Sequence, residues 1–328
     1  MRRPLPRPRR RWLVVGGAAL IAAVLLIAAF AMRTPAPVGY FTSTAAHDRF
    51  LAAYRQAMAE LPQPDQTLDV RTSYGVVRLY RFTGADPDAD PLLLVPGRAS
   101  AAPIWADNLP ALLRLRSVYT IDLLGEPGMS VQQRPIDTPE DHAQWLHEVL
   151  VELPEPAVHL VGLSIGGWTA TNLVVHQPEK IASVTLLDPV LVFADLSWQA
   201  ILRSIPASVR WFPKSWRDDF ASWTANDAPV EDVPVARMIE AGMQTYALKL
   251  SAPHRITPED LAGVRTPTLA LLASESRMHD TTEAVEVAER ALPEATVIVY
   301  PDASHAINGE HPDRVANDIA DFLAASGR

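Results

Sequence analysis

The sequence predicts an α/β protein whose mainly parallel, doubly wound sheet carries helices on both faces. Two observations favour this class. Short apolar runs alternate with helical patterns through most of the chain, which is the order expected of successive β-α-β units. These runs are apolar at nearly every position rather than at every second one, as in strands that are buried on both faces. With 328 residues and 48% hydrophobic side chains, the chain can bury a large core.

Each element of this fold has its own signal in the sequence. Hydrophobic residues at helical spacing predict an amphipathic helix over 43–61, and alternating runs at 67–70 and 76–82 predict a hairpin. Six apolar runs are the predicted parallel strands, at 92–95, 117–121, 157–161, 182–187, 268–273 and 296–300. Helices are predicted near 102–114, 139–152, 165–177, 281–291 and 311–325.

Residues 190–256 interrupt the alternation of strand and helix. They hold four of the eight tryptophans, namely Trp198, Trp211, Trp216 and Trp223. Their helical and aromatic character predicts a cap that packs over the end of the sheet. A satellite core built by the same tryptophans is the alternative, and the two are compatible because a cap needs a core of its own.

The N-terminal segment has the pattern of a membrane anchor. Residues 12–32 form an uncharged run of 21 residues, which as a helix would span roughly 30 Å of hydrocarbon. The arginines that precede it predict a cytoplasmic N-terminus. We therefore predict a basic cytoplasmic tail at 1–11, a transmembrane signal-anchor at 12–32, a linker and helix at 33–66, and a domain at 67–328 that lies outside the cytoplasm. The protein would be a single-pass cell-membrane protein. The alternatives are a cleaved signal peptide with secretion of the rest, or a buried core helix.

Charge and composition exclude several kinds of function. Beyond residue 33 the chain has 22 basic and 38 acidic side chains, a formal charge of −16, which argues against a nucleic-acid partner. The absence of Cys excludes disulfides, a thiolate nucleophile and thiolate metal sites. No pair of histidines at metal-ligand spacing has a third ligand to support it, so we expect no metal.

The motif Gly162-Leu163-Ser164-Ile165-Gly166 supplies a candidate nucleophile. It lies between a predicted strand and a predicted helix, where a sharp turn would project the Ser164 hydroxyl above the sheet. Residues two before and two after the serine approach neighbouring backbone in such a turn, so both positions need glycine. The helix that follows directs its N-terminal N–H groups and dipole at the hydroxyl, which favours an anion there.

Together with this motif, several sequence blocks occur in the order that is typical of the α/β-hydrolase fold family. The chain resembles in particular the carboxylesterase-like and lipase-like members that carry a cap. The resemblance covers roughly residues 67–326. The blocks are Leu-Leu-Leu-Val-Pro-Gly at 92–97, Tyr-Thr-Ile-Asp-Leu-Leu-Gly-Glu-Pro-Gly-Met-Ser at 119–130, the Ser164 turn, and Pro-Asp-Ala-Ser-His at 301–305. Family members also carry a cap insertion after the strand that corresponds to 182–187.

The resemblance implies further site residues. His305, in the loop after the last strand, would be the general base that activates Ser164. The backbone N–H groups of Ile165 and Arg98 would form the oxyanion hole. The family needs no dissociable cofactor for this chemistry, and we expect none.

The sequence leaves open which acidic residue orients His305. The resemblance places the usual acid at Ser276, whose hydroxyl cannot stabilise an imidazolium as a carboxylate does. Asp188, at the end of an earlier strand, is one substitute, and Glu275 is the other. Asp280, or no acid at all, is a remaining alternative.

Together these residues predict a serine hydrolase that cleaves a small or medium ester-like substrate through an acyl-enzyme on Ser164. Other chemistry on the same triad, such as C–C hydrolysis or perhydrolysis, is one alternative. A catalytically inactive binding module is another, and the missing acid at Ser276 is its main support.

Overall fold

A computed structural model describes residues 36–327. In that part of the chain the strands of the main sheet are β2 (Gln66–Thr72), β3 (Gly75–Phe82), β4 (Leu92–Val95), β5 (Val118–Ile121), β6 (Val131–Gln132), β7 (Val158–Leu163), β8 (Ile181–Leu187), β10 (Thr268–Ala273) and β11 (Thr296–Tyr300). Their order in the sheet is β11-β10-β8-β7-β4-β5-β3-β2, and β6 pairs with the N-terminal end of β3. A separate two-stranded ribbon pairs β1 (Tyr40–Phe41) with β9 (Tyr246–Ala247).

Helices follow most of the strands. They are α1 (Thr44–Met58), α2 (Leu109–Leu112), α3 (Pro139–Glu152), α4 (Ile165–His176), α5 (Trp198–Ser208), α6 (Lys214–Thr224), α7 (Pro234–Thr245), α8 (Pro258–Gly263), α9 (Thr281–Ala291), α10 (Ile307–Glu310) and α11 (Pro312–Ala325). A 3₁₀ turn, Ala102–Trp105, precedes α2.

The strands from β11 to β5 are parallel, and their burial explains the continuous apolar runs. Every residue of β4, β5, β7 and β10 is buried, because helices cover both faces of the sheet. Two large hydrophobic clusters, one on each face, form the core. The α/β class is therefore confirmed. The sheet is mixed, since β3 runs antiparallel to β2 and to β5. The two-residue turn between β2 and β3 allows only an antiparallel pair.

The prediction of a membrane-spanning helix is corrected by the structure. Within residues 36–327 no helix is long and apolar enough to cross a membrane. The longest helix there, α1, has 15 residues and is amphipathic, whereas a span needs about 20 apolar residues. The run at 12–32, from which the anchor and the single-pass topology were predicted, lies outside the described residues. We therefore withdraw the transmembrane element, the membrane as a partner and the cell-membrane location.

The helix predicted near 102–114 is interrupted. The 3₁₀ turn and α2 replace it, with Pro103 in the first and Pro110 in the second. A proline in a helix interior removes one backbone donor and clashes with the carbonyl four residues earlier, so a continuous helix cannot pass through Pro110.

Helices α5, α6 and α7 lie in the insertion between β8 and β10, where the cap was predicted. Two hydrogen bonds tie the insertion to the rest of the domain: the Trp168 indole of α4 donates to His254 O at 2.9 Å, and Ser197 Oγ donates to Arg277 O, in the loop after β10, at 2.8 Å. Of its four tryptophans only Trp223 is buried, at 7% exposure, under the Arg203 guanidinium. The idea of a satellite core therefore holds for Trp223 and not for Trp198 or Trp211, which are 68% and 81% exposed.

A buried carboxylate at the end of β5 fastens the N-terminal helix to the sheet. Asp122 accepts hydrogen bonds from the Tyr54 hydroxyl of α1 at 2.8 Å, from Ala102 N at 2.8 Å and from Met129 N at 2.7 Å. Complete burial raises the pKa of Asp122, and these donors oppose the increase. The Tyr54 hydroxyl also lies 2.9 Å from that of Tyr80.

We predict that Tyr54→Phe lowers the free energy of unfolding by about 1–3 kcal/mol, because it removes one donor from a buried carboxylate. Urea denaturation monitored by circular dichroism measures the change in the free energy of unfolding. Tyr40→Phe is the matched control, since no hydrogen bond of the Tyr40 hydroxyl is found among residues 36–327, and it should change stability by less than about 0.5 kcal/mol. Equal losses in the two variants would contradict the role of Asp122.

Candidate active site

Ser164 lies at the sharp turn between β7 and α4. Its backbone has φ 54° and ψ −117°, a strained combination for a residue with a side chain, and such strain typically costs about 1–3 kcal/mol. A Cβ on Gly162 would lie 2.5 Å from Gly166 O, and one on Gly166 would lie 2.2 Å from Val95 O. Both contacts are impossible for a real side chain. The turn therefore requires glycine two residues before and two residues after Ser164.

The structure brings Ser164, His305 and Asp188 into one hydrogen-bonded chain. His305 Nε2 is 2.9 Å from Ser164 Oγ, and its Nδ1 is 2.6 Å from Asp188 Oδ2. An ionised carboxylate can only accept a hydrogen bond, so Nδ1 carries the proton and Nε2 accepts from the serine hydroxyl. This is the arrangement in which an imidazole can take the serine proton.

Parallel strands explain why residues so far apart in sequence meet. Ser164 follows β7, Asp188 follows β8, and His305 lies in the loop after β11. These three strands run in the same direction, so their carboxyl ends lie at one edge of the sheet.

Asp188 is fully buried and has further donors. Ala273 N donates to Oδ1 at 3.1 Å, and Ser276 Oγ donates to Oδ2 at 2.7 Å. Burial by itself raises the pKa of Asp188, but the charges of His279 and His305 and the hydrogen bond of His305 outweigh it and hold the pKa far below its usual value. Asp188 is therefore ionised at neutral pH.

The structure places the other candidate acids away from His305. Glu275 has an exposed side chain, and its backbone N–H donates to Ala303 O at 3.0 Å. Asp280 caps α9 by accepting from Glu283 N at 3.0 Å. Of the acids considered from the sequence, only Asp188 contacts the imidazole within the described chain.

The two predicted oxyanion donors belong to the two segments that lie next to Ser164. Ile165 is the first residue of α4, so its N–H has no acceptor within the helix. The loop after β4 passes directly beside the serine, since a Cβ on Gly97 would lie 3.6 Å from Ser164 Cβ. Arg98 is the next residue of this loop. The roles of the Ile165 and Arg98 N–H groups stay predictions.

The Arg98 side chain is held by the protein itself. Its Nη1 is 2.5 Å from Glu126 Oε1, and the neighbouring Ala99 N donates to Glu126 Oε2 at 3.1 Å. Glu126 is buried, with 2% of its surface exposed. One carboxylate therefore ties the loop after β4 to the loop after β5, and the Arg98 charge is already neutralised.

A narrow cavity next to Ile165 is lined mainly by apolar and aromatic side chains. Leu123, Leu124 and Trp168 form part of its apolar wall, and Arg98 and Glu126 also line it. His142 also lines it, with its ring edge-on to Trp168 at 5.3 Å between centroids. Burial, and secondly the Arg98 charge, lower the pKa of His142 to about 4, so its imidazole is neutral at pH 7. No cluster of three metal-ligating side chains occurs within residues 36–327.

The structure gives three residues roles that the sequence did not predict. Ser276 donates a hydrogen bond to Asp188, His279 is a second imidazole beside that acid, and Glu126 is the partner of Arg98. Ser276 had a signal, because it stands where the family resemblance places the acid. No spacing in the sequence connects His279 with Asp188 or Glu126 with Arg98.

We predict that Gly166→Ala abolishes activity and prevents native folding of the turn, because the new Cβ would overlap the carbonyl of Val95. The matched control is Gly309→Ala in α10, where a Cβ would meet nothing within 4 Å. Thermal unfolding and ester turnover of the two variants test this. A Gly166→Ala protein with wild-type stability and activity would contradict the account of the turn.

Comparisons with known proteins agree with this geometry. A family model described as "Alpha/beta hydrolase family" matches residues 92–318. Two Bacillus subtilis proteins, an uncharacterized carboxylesterase nap and the carboxylesterase YbfK, are each 23% identical over 84% of this chain and 93% of their own length. The crystal structure of naproxen esterase (carboxylesterase NP) from Bacillus subtilis superposes with a TM-score of 0.79 at 22% identity, covering 86% of this chain and 99% of that one. This structural likeness shows a shared fold.

Proposed function

The chain belongs to the alpha/beta hydrolase family and is a hydrolase of that fold, and from this we propose that it is a carboxylesterase that works through an acyl-enzyme on Ser164. The observation that carries the proposal is the hydrogen-bonded chain from Ser164 through His305 to the buried Asp188. A serine hydroxyl is a weak nucleophile until a base lies within hydrogen-bonding distance, and here that distance is 2.9 Å.

In the first half of the reaction, Ser164 Oγ attacks the ester carbonyl carbon while His305 Nε2 takes the hydroxyl proton. The imidazolium that forms is stabilised by the carboxylate of Asp188. The negative charge on the carbonyl oxygen is held by the N–H groups of Ile165 and Arg98, aided by the positive end of the α4 dipole.

The second half releases both products. His305 returns its proton to the alcohol oxygen as the ester bond breaks, which leaves an acyl group on Ser164. A water molecule then gives a proton to His305 and attacks the acyl carbon. As the second tetrahedral intermediate collapses, His305 passes that proton to Ser164 Oγ, which releases the acid and restores the serine hydroxyl.

The surroundings of Ser164 favour an uncharged ester of small or medium size. The cavity beside Ile165 is narrow and mainly apolar, and the Arg98 cation, which also lines it, is paired with Glu126 rather than free for a substrate carboxylate. The relatives named as carboxylesterases support the same reaction class.

The alternatives have less support. An inactive binding module was suggested by the serine at position 276, but Asp188 supplies a carboxylate to His305 from another strand. C–C hydrolysis and perhydrolysis would use the same triad, and no observation specific to either distinguishes this site.

We predict that a fluorophosphonate probe labels the wild type and not Ser164→Ala. Asp188→Asn should lower kcat by about 10⁴-fold, because the amide cannot stabilise the imidazolium and favours the wrong ring tautomer. Glu275→Gln is the matched acid-to-amide control and should stay within about twofold, since its side chain is exposed. Mass spectrometry of the labelled protein and turnover of p-nitrophenyl butyrate give the readouts. Loss of activity in Glu275→Gln with an active Asp188→Asn would reverse the assignment, and an unlabelled wild type would overturn the proposal.

We also predict a preference for neutral substrates. p-Nitrophenyl butyrate should have a kcat/KM at least about tenfold above that of mono-p-nitrophenyl succinate, because the acyl carboxylate of the succinate would meet an apolar cavity with no unpaired cation. Initial rates over a range of concentrations measure both. Equal or reversed preference would contradict the proposed substrate class while leaving the triad untouched.

A further inference from the structure

The carboxylate of Asp188 lies between two imidazoles. His305 occupies Oδ2, and on the other side His279 Nε2 lies 3.2 Å from Oδ1. Neither ring nitrogen of His279 has an aligned hydrogen-bond partner within residues 36–327, so this second contact is an ion-pair contact rather than a hydrogen bond. His279 is as buried as the carboxylate, with 1% of its side chain exposed, and the mechanism described above does not use it.

The groups around His279 favour its charged form. Asp188 faces it from the end of β8, and Asp280, the next residue, adds a second negative charge at the start of α9. The nearest arginine along the chain, Arg277, is directed away and forms a two-bond ion pair with Asp227. His305 lies on the opposite oxygen of Asp188. Burial alone lowers the pKa of His279, but Asp188 and Asp280 together outweigh it and raise that pKa above its ordinary value.

We propose that His279 is a positively charged positioning residue that shares the Asp188 carboxylate with His305 and so keeps His305 in its neutral, proton-accepting form down to lower pH. The inference rests on the proposed function, because it concerns the base of that reaction. His279 touches neither the substrate nor Ser164 in this arrangement, and it acts through Asp188.

The physical reason is competition for one negative charge. When His279 is cationic, the pair that it forms with Asp188 is already neutral, so a second cation on His305 gains less from the carboxylate and is repelled by the first. Protonation of His305 then needs a lower pH. The two imidazoles titrate as a coupled pair, and removing one changes the apparent pKa of the other.

The direct test is the pH profile of kcat/KM for p-nitrophenyl butyrate with His279→Gln. Glutamine keeps a donor of similar reach and removes the charge, so His305 should protonate more readily, and the acidic limb should move to higher pH by about one unit. His176→Gln is the matched control: that histidine pairs with Glu140 at the far end of α4, and its loss should leave the limb in place.

A merely structural role gives a different result. In that case His279→Gln would lower kcat or the melting temperature with the acidic limb unchanged, and this outcome would overturn the proposal. A limb that moves to lower pH would overturn it as well, because it would mean that His279 increases the affinity of His305 for protons.

A second measurement needs neither ester turnover nor the His279→Gln variant. Nitrogen-15 NMR of histidine-labelled wild type and Ser164→Ala reports the protonation of each ring as a function of pH. We expect the His279 ring to be cationic at pH 7. A neutral His279 at that pH would overturn the proposal, even if His279→Gln fails to fold. Absence of ester turnover would instead count against the proposed function and would leave this charge measurement standing.

Discussion

The buried carboxylate of Asp188 is the interaction around which the site is built. A carboxylate without solvent is stable only when several donors or cations surround it. Asp188 gathers Ala273 N, Ser276, His279 and His305, which belong to the ends of β10 and β11 and to the loop before α9. The need to surround this one charge with donors thus fixes the relative position of three segments. Because His305 is one of those donors, it also fixes the direction from which the imidazole reaches Ser164.

The parallel sheet makes this arrangement possible. Strands β7, β8 and β10 are adjacent, and all end at the same edge, so each can contribute a residue to one small volume. The strained backbone of Ser164 and the positive φ of Asp188, 41°, occur at two of these strand ends. Such strain persists only where surrounding contacts overdetermine the backbone, as the close-packed glycines of the nucleophile turn and the four neighbours of Asp188 do here.

Elsewhere in the chain, local pattern and tertiary packing disagree in instructive ways. The apolar pattern at 102–114 suggested one helix, whereas two prolines divide it. The tryptophans at 190–256 suggested an internal cap core, whereas three of the four are exposed. Within residues 36–327 no helix is long and apolar enough to cross a membrane, which is why the predicted membrane span was withdrawn. The apolar run at 12–32, on which that prediction rested, lies outside these residues.

The α/β class, the bounds of β4, β10 and β11 and the turn at Ser164 could be predicted from the sequence, because each depends on local properties. Burial on both faces makes a strand continuously apolar, and a crowded turn demands Gly162 and Gly166. The loop of His305 followed from its order along the chain. Which acid contacts that histidine, in contrast, depends on the tertiary structure. Asp188 and Glu275 both follow strands that end at the same edge, so sequence order allows either. The choice depends on the direction of one side chain, inward from β8 for Asp188 and outward to solvent for Glu275, and no local pattern encodes that direction.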